Sequence, residues 1–324
     1  MNRIAMASEK ERLAIFMDVA ANKKIPAAMV EKDFWVCWTL EKMFESETLH
    51  SMLRFKGGTS LSKVYRLIQR FSEDIDLILD WRCVSDKDPL AERSKTKQDL
   101  FNKEIEAQAG EYISQTLRTL VADACGALCP ITPDAADKHV LNVAYPGVIS
   151  SGYLSPAIKL EIGPLAAWSP HETASLESYV AEANPQLGMR PVRVPTICAE
   201  RTFWEKATIL HHEHHRPENI LTPSRYSRHY YDLYMMGHSE VKDRALTQAD
   251  LLPAVVAFKQ KFYPRGWANY ENAKRGTLRL LPSPAASQAL VKDYKEMRTM
   301  IFGEYPDWQA ILDYLAELER EINS

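Results

Sequence analysis

Two aspartates separated by one residue, Asp74 and Asp76, have the types and spacing most suggestive of chemistry in this sequence. Side chains alternate along a β-strand, so both carboxylates would lie on one face while Ile75 and Leu77 face a core. Two carboxylates about 4 Å apart repel by roughly 1 kcal/mol in water and about 4 kcal/mol at an effective dielectric near 20. Such a pair needs a proton, a basic partner or a divalent cation such as Mg²⁺ or Mn²⁺. The alternative is a surface strand that carries two acids by chance.

A glycine pair stands upstream of the aspartates. Gly57 and Gly58 fall where a short strand (53–55) should turn into a helix, and glycine lets the backbone approach a ligand closely. Thr59 and Ser60 follow, and a helix start favours bound phosphate. The alternative is an ordinary tight turn with a hydroxyl cap. Because turn and carboxylates lie within one short stretch, together they predict a nucleotide–metal site.

The elements around this stretch change character along the chain. Apolar spacing predicts helices at the N-terminus, a helix over 61–68, a strand over 75–79 and one or two helices within 88–129. Further strands are expected over 140–145, 158–162 and 192–195. From residue 199 onward the pattern is helical, with breaks at 217–223, 263–266, 282–284 and 303–306. We therefore expect an α+β domain over 1–195 and a helical domain over 196–324.

Composition excludes several classes of protein. The 324 residues carry 40 Lys and Arg against 43 Asp and Glu, a formal net charge of −3, so nucleic acid would need a local basic patch. Five scattered cysteines favour a reducing cytoplasm over a disulfide scaffold. No signal peptide or membrane-spanning run is apparent, and a cytoplasmic protein without a membrane partner is expected.

Several motifs resemble one family. GGTSLSK (57–63) followed by RFSEDIDL (70–77) resembles the first motif of the DNA-polymerase-β-like nucleotidyltransferases, and more narrowly that of the AbiEii toxins of type IV toxin–antitoxin and abortive-infection (phage-defence) systems. EKDFWV (31–36), RTFWEKATILHHE (201–213) and SRHYYDLY (227–234) also resemble that family. The resemblance implies a polymerase-β-like core, a small mixed sheet with flanking helices, and a helical C-terminal domain that completes the nucleotide site. The spacer between Gly58 and Asp74 is longer than the broader pattern.

The resemblance also implies roles for particular residues. Asp74 and Asp76 would be catalytic metal ligands, and Glu161 is the candidate third carboxylate, although a solvent-facing Lys159–Glu161 pair is the alternative. Lys206 would contact the triphosphate, although a solvated lysine beside a buried apolar stripe is the alternative. Asp232 would belong to the last acidic motif, as general base, lysine partner or structural anchor. The residues expected to bind nucleotide are Gly57, Gly58, Thr59, Ser60, Lys63, Ser72 and Arg228.

Asp232 belongs to a charged pattern on one predicted helix. Arg225, Arg228 and Asp232 fall at i, i+3 and i+7 and would share a face. A surface ladder of ion pairs, each contributing perhaps 0.3–0.5 kcal/mol, is the other interpretation.

The segment 258–279 is locally basic and interleaved with aromatic residues. Cations that hold phosphate beside aromatic rings that stack on unpaired bases would suit a single-stranded RNA end. A helical domain with buried aromatics and a solvated rim is the alternative. The candidate RNA-binding residues are Lys259, Lys261, Arg265, Trp267, Lys274 and Arg275.

These expectations define a function. The resemblance implies NMP transfer from an NTP, with Mg²⁺ or Mn²⁺, to an RNA acceptor, the 3′ end of tRNA. Such transfer would block translation, under the control of a cognate antitoxin. NMP transfer to a protein hydroxyl and a non-catalytic nucleotide-binding subunit are the alternatives.

Overall fold

The chain forms two compact units. The computed structural model describes residues 1–150 and 157–324. One unit comprises Met1–Val64 and Ser72–Ile197, and the other comprises Tyr65–Phe71 and Cys198–Ser324. The chain thus leaves the first unit after the glycine turn, contributes a short segment to the second, and returns before Asp74.

A seven-stranded mixed sheet organises the first unit, in the order β3-β4-β5-β2-β1-β7-β6. Its strands are β1 (Leu53–Lys56), β2 (Ile75–Leu79), β3 (Ile131–Pro133), β4 (Val140–Ala144), β5 (Ala157–Gly163), β6 (His171–Leu176) and β7 (Val192–Ile197). The β2–β5 and β1–β7 pairs are parallel and the other pairs are antiparallel. The acid-bearing strand β2 is therefore central, between β1 and β5.

One helix of the first unit is buried along almost its whole length. The helices are α1 (Asn2–Ala5), α2 (Glu9–Lys23), α3 (Ala27–Glu45), α4 (Glu47–Met52), α5 (Gly57–Lys63), α6 (Lys95–Tyr112), α7 (Arg118–Cys125) and α8 (Tyr179–Ala183), with a π-helical turn (Ile113–Leu117) between α6 and α7. The buried apolar residues of α3, including Phe34, Trp35 and Met43, lie on every side of the helix, as expected for a helix in the core. It packs against β5, β7, α2, α7 and α8.

The second unit is helical. It contains α9 (Ala199–His214), α10 (Ser227–Gly237), α11 (Glu240–Thr247), α12 (Leu251–Phe262), α13 (Pro284–Glu296) and α14 (Trp308–Asn323). Segment 65–71 is held there by backbone hydrogen bonds, from Phe71 N–H to Met300 O (2.7 Å) and from Phe302 N–H to Gln69 O (3.0 Å). In the part of the chain that the structure describes, no helix is long and apolar enough to cross a membrane.

The predicted α+β class is confirmed, and β2 has the predicted bounds. The helix predicted over 61–68 is wrong in position: α5 begins at Gly57 and ends at Lys63, because the following residues extend into the second unit. Strands β3 and β6 were not predicted. Both lie at the edges of the sheet, where β6 is mostly exposed and β3 ends in proline, so neither has a strong apolar pattern.

Candidate active site

Strand pairing brings the predicted acidic residues to one part of the sheet. Asp76 lies opposite Lys56 on β1 and opposite Glu161 on β5. Asp74 directly precedes β2, and Asp74 and Asp76 are both half-buried, whereas Glu161 is exposed. The glycine turn follows Lys56 directly, so the turn and the aspartates are neighbours in the fold.

Gly57 is required by two independent features. Its φ is +81°, a conformation that costs an L-residue about 1–2 kcal/mol. A Cβ at this position would lie 1.9 Å from the Asp76 Oδ2. The carboxylate of Asp76 therefore packs directly on the glycine backbone.

The hydroxyls of Thr59 and Ser60 are used inside the fold. Both residues are buried; the Thr59 hydroxyl donates to the Asp74 carbonyl (2.5 Å) and the Ser60 hydroxyl donates to the Gly57 carbonyl (2.8 Å). These contacts fix the glycine turn and the backbone of Asp74, and the predicted contacts of the two residues with nucleotide stay predictions. Ser72 is half-buried, and its predicted contact with nucleotide stays a prediction.

Among the described residues, the two aspartates lack an ion-pair partner. Within residues 1–150 and 157–324, no lysine or arginine forms an ion pair with Asp74 or Asp76. Burial raises the pKa of Asp74, and the charges of Glu73 and Asp76 add to that effect. The pair thus has the electrostatic character expected of a cation site, since a positive charge placed there would relieve the repulsion.

The donor set fits a divalent cation. In the described residues, no three His, Cys, Asp or Glu side chains form a ready-made metal cage, so Glu161 does not complete one with the aspartates. Mg²⁺ characteristically binds one or two carboxylates and takes its remaining ligands from water and substrate phosphates. Asp74 and Asp76 suit that mode, and Glu161 as a third ligand stays a prediction.

Lys63 forms a buried ion pair in the first unit. Its ammonium is 2.6 Å from the Asp33 carboxylate, above the ring of Tyr179, and Lys63 and Asp33 are both buried. Burial by itself would lower the pKa of Lys63, but the charge of Asp33 outweighs that effect and raises the pKa. Lys63 thus joins the end of α5 to α3, and its predicted contact with nucleotide stays a prediction.

In the second unit, Lys206 and Asp232 form a buried ion pair. Lys206 Nζ on α9 lies 2.8 Å from Asp232 Oδ2 on α10, and Asp232 is fully buried. Arg70 from segment 65–71 donates two hydrogen bonds to the same carboxylate, from Nε to Oδ1 (2.7 Å) and from Nη2 to Oδ2 (2.8 Å). Burial would raise the pKa of Asp232, but the charges of Arg70 and Lys206 outweigh it and lower that pKa. The sequence pattern gives no sign of this role of Arg70, because only the fold brings it to residue 232.

The other residues on or beside α10 do not share one arrangement around Asp232. His229 Nδ1 is 3.1 Å from Lys206 Nζ, so the imidazole accepts from the ammonium. Arg228 is half-buried on α10. The predicted face shared with Arg225 is wrong, because Arg225 has φ of +62° and precedes the helix. The surface-ladder alternative is wrong as well, since Asp232 is buried.

In the basic segment 258–279, some side chains make contacts within the fold and others are exposed. Lys259 donates to the Glu205 carbonyl, and Arg275 donates to the Leu246 carbonyl. The guanidinium groups of Arg216 and Arg265 both lie over the ring of Trp267. A groove of about 490 Å³ runs along α12, with Lys274 and Arg275 among the residues that line it. Of the interleaved aromatics, Phe262 and Tyr270 are buried, which follows the structural alternative. Lys261 is half-buried and Arg265 is exposed.

The histidine run at the end of α9 is part of the packing. His211 accepts from the Arg279 N–H (3.0 Å) and donates to the Asn269 carbonyl (3.0 Å), which requires the neutral ring. His214 donates to the Leu281 carbonyl. Burial lowers the pKa of His211 to about 4.

Comparison with known proteins assigns the chain to a family. A family profile described as nucleotidyl transferase AbiEii toxin, type IV TA system, matches residues 38–314. Among solved structures, the chain is similar to MenT4, a nucleotidyltransferase toxin from Mycobacterium tuberculosis H37Rv, with 16% identity, a TM-score of 0.45, and coverage of 94% of this chain and 98% of that one. It is also similar to JHP933 from Helicobacter pylori, with 15% identity, a TM-score of 0.37, and coverage of 92% and 98%. No curated protein matches it.

The protein is a nucleotidyltransferase. More narrowly, the chain belongs to the AbiEii nucleotidyltransferase toxins of type IV toxin–antitoxin systems, as its motifs suggested. That family generally uses divalent metals and implies a nucleotide substrate and an antitoxin partner.

Substitution of Gly57 by alanine should abolish activity and lower the free energy of unfolding. The added methyl group displaces Asp76, and the positive φ costs about 1–2 kcal/mol. Gly126→Ala is the matched control, since its φ is +65° with nothing within 4 Å of the added Cβ. Urea unfolding and a nucleotidyl-transfer assay on both variants test this. Equal activity of the two would contradict the proposed contact.

Substitution of Asp232 by asparagine should destabilise the protein by about 3–5 kcal/mol, because it leaves Arg70 and Lys206 buried without a counter-charge. The free energy of unfolding in urea measures this. Glu321→Gln removes a surface pair with Lys242 and should cost at most about 1 kcal/mol. A loss no larger for Asp232→Asn would show that its ion pairs are not formed.

Stability should fall as the pH is lowered from about 6.5 to about 4. In this range the unfolded chain protonates His211 and the folded chain does not, so protons favour unfolding. His211→Gln should make the pH dependence of the unfolding free energy shallower. His50→Gln, which removes an exposed imidazole, should leave it unchanged. A slope unaffected by His211→Gln would exclude a buried neutral ring.

Proposed function

We propose that this toxin transfers an NMP from an NTP to RNA, at the 3′ end of a tRNA, with a divalent cation held by Asp74 and Asp76. The observation that carries the proposal is the half-buried aspartate pair, which has no basic partner in the described chain and packs on a glycine turn. Mg²⁺ is the metal that this donor set favours, with Mn²⁺ as a substitute.

The chemistry assigns distinct work to the residues of the first unit. A divalent cation, when bound, lowers the pKa of the attacking hydroxyl and stabilises the pyrophosphate leaving group. Asp74 and Asp76 bind and orient that cation. Gly57 leaves room for the Asp76 carboxylate, while the Thr59 hydroxyl holds the backbone of Asp74. Glu161 lies in register with Asp76 and is the candidate for a further acidic contact.

Lys206 and Arg228 are proposed to act on the nucleotide, and Asp232 is proposed to position Lys206 beside it. The ammonium of Lys206 supplies the positive charge that a triphosphate needs in the transition state. Asp232 and His229 fix its position, since both contact Lys206 Nζ.

A tRNA acceptor explains why transfer is toxic, because extra nucleotides at the 3′ end block aminoacylation and translation. It also implies action in the cytoplasm and restraint by the cognate antitoxin. Arg265, Lys274 and Arg275 are exposed cations of the second unit, and the groove beside α12 offers apolar surface for a base. These features support a single-stranded RNA end over a folded protein as the acceptor.

Incubation with labelled NTPs, Mg²⁺ and total tRNA tests the proposal. The wild type should label tRNA, and Asp76→Asn should label none, because the neutral amide removes a negative charge that attracts the cation. Asp123→Asn, which changes an exposed acid on α7, should behave as the wild type. No label on RNA above the Asp76→Asn background would overturn the proposal.

The acceptor is tested separately by periodate oxidation of the tRNA 3′ end, which should prevent labelling, and by the double variant Lys274→Glu, Arg275→Glu. Charge reversal should reduce labelling of tRNA. Transfer to protein that survives both treatments would favour a protein hydroxyl as the acceptor. Tight NTP binding without transfer would favour a regulatory subunit.

A further inference from the structure

Three consecutive charged residues are buried in the core helix α3. Glu31, Lys32 and Asp33 are only 2%, 1% and 4% exposed. A buried charge is strongly destabilising unless it has partners. Each of the three has partners outside α3, so the triplet connects this helix to three other parts of the first unit.

Lys32 contacts the segments that lead into both acid-bearing strands. Its Nζ lies 2.7 Å from the Glu73 Oε2, and Glu73 directly precedes Asp74. The same Nζ donates to the carbonyl of Ala157 at 2.9 Å, and Ala157 is the first residue of β5, which carries Glu161. One ammonium thus joins the N-terminal ends of two parallel strands.

The position of Asp74 depends on this contact more than the position of Asp76 does. Asp76 lies within the β2–β5 ladder, whose register runs from Ile75 opposite Leu160. Asp74 precedes that ladder, so strand pairing does not fix it. Two contacts fix its surroundings: the Thr59 hydroxyl on its carbonyl, and the Lys32–Glu73 ion pair next to it.

We infer that Lys32 is a positioning residue for the aspartate pair: from the buried helix α3, its ammonium sets Asp74 relative to β2 and β5. This inference rests on the proposed function. The inference gives the EKDFWV motif (31–36) a role in positioning Asp74 that requires no contact of its side chains with nucleotide or metal.

The test compares Lys32→Met with Lys32→Arg and Arg12→Met. Arg12 is another buried cation of the first unit, and it donates to the carbonyls of Ala7 and Pro146, away from the acid-bearing strands. Lys32→Met should lower kcat by about 10–100-fold and raise the Mn²⁺ concentration that half-saturates the protein, with a smaller change in KM for NTP. Lys32→Arg should regain activity, and Arg12→Met should lose stability but keep kcat.

The double variant Lys32→Met, Glu73→Gln separates position from stability. It removes the unpaired carboxylate, so it should regain stability relative to Lys32→Met without regaining kcat. A kcat that follows stability across the series would overturn the inference, as would a kcat of Lys32→Met equal to that of the wild type.

Hydrogen exchange gives a readout that does not need activity. In Lys32→Met, exchange should increase selectively at residues 73–79 and 157–163. An increase spread evenly over the first unit would show a purely structural role and overturn the inference. If the wild type transfers no nucleotide, the proposed function fails, while Mn²⁺ binding and exchange still decide the role of Lys32.

Discussion

A charge taken out of water needs a partner, and this requirement governs how both units of the protein are built. On α3, three consecutive charged residues are buried, and each is matched by an ion pair or by backbone N–H groups. Asp232 is fully buried because Arg70 and Lys206 share its charge. Against that background, Asp74 and Asp76 differ, because no lysine or arginine of the described residues pairs with them.

The contrast gives the two acidic centres different chemical capacities. The carboxylate of Asp232 pairs with two cations, Arg70 and Lys206, which hold it in one place. Its role is therefore to fix the positions of its partners. The aspartate pair retains lone pairs and mutual repulsion, which a divalent cation would relieve. For an AbiEii nucleotidyltransferase, this difference distinguishes a group that can bind metal from one that positions a lysine.

The long spacer between the glycine turn and Asp74 has a structural explanation. Residues 65–71 belong to the second unit. Their backbone hydrogen-bonds to residues 300–302, and the Arg70 side chain binds the Asp232 carboxylate. The sequence between two parts of one motif therefore supplies a structural element of the other unit. Its length reflects that second task, and the motif itself keeps its geometry through Thr59 and Asp74.

The sequence alone determined the α+β class, the family, strand β2 and the aspartate pair, because alternation and glycine position are local properties. It could not determine the partners of Lys63, Thr59 and Ser60, since the type of a residue does not show whether its side chain binds phosphate or makes contacts within the fold. The roles of Arg70 and Lys32 cannot be derived from the sequence for a related reason. Arg70 contacts Asp232, and Lys32 contacts Glu73, only in the folded chain. Pairing across long separations is decided by tertiary packing, which brings distant charges together where burial makes each one depend on the other.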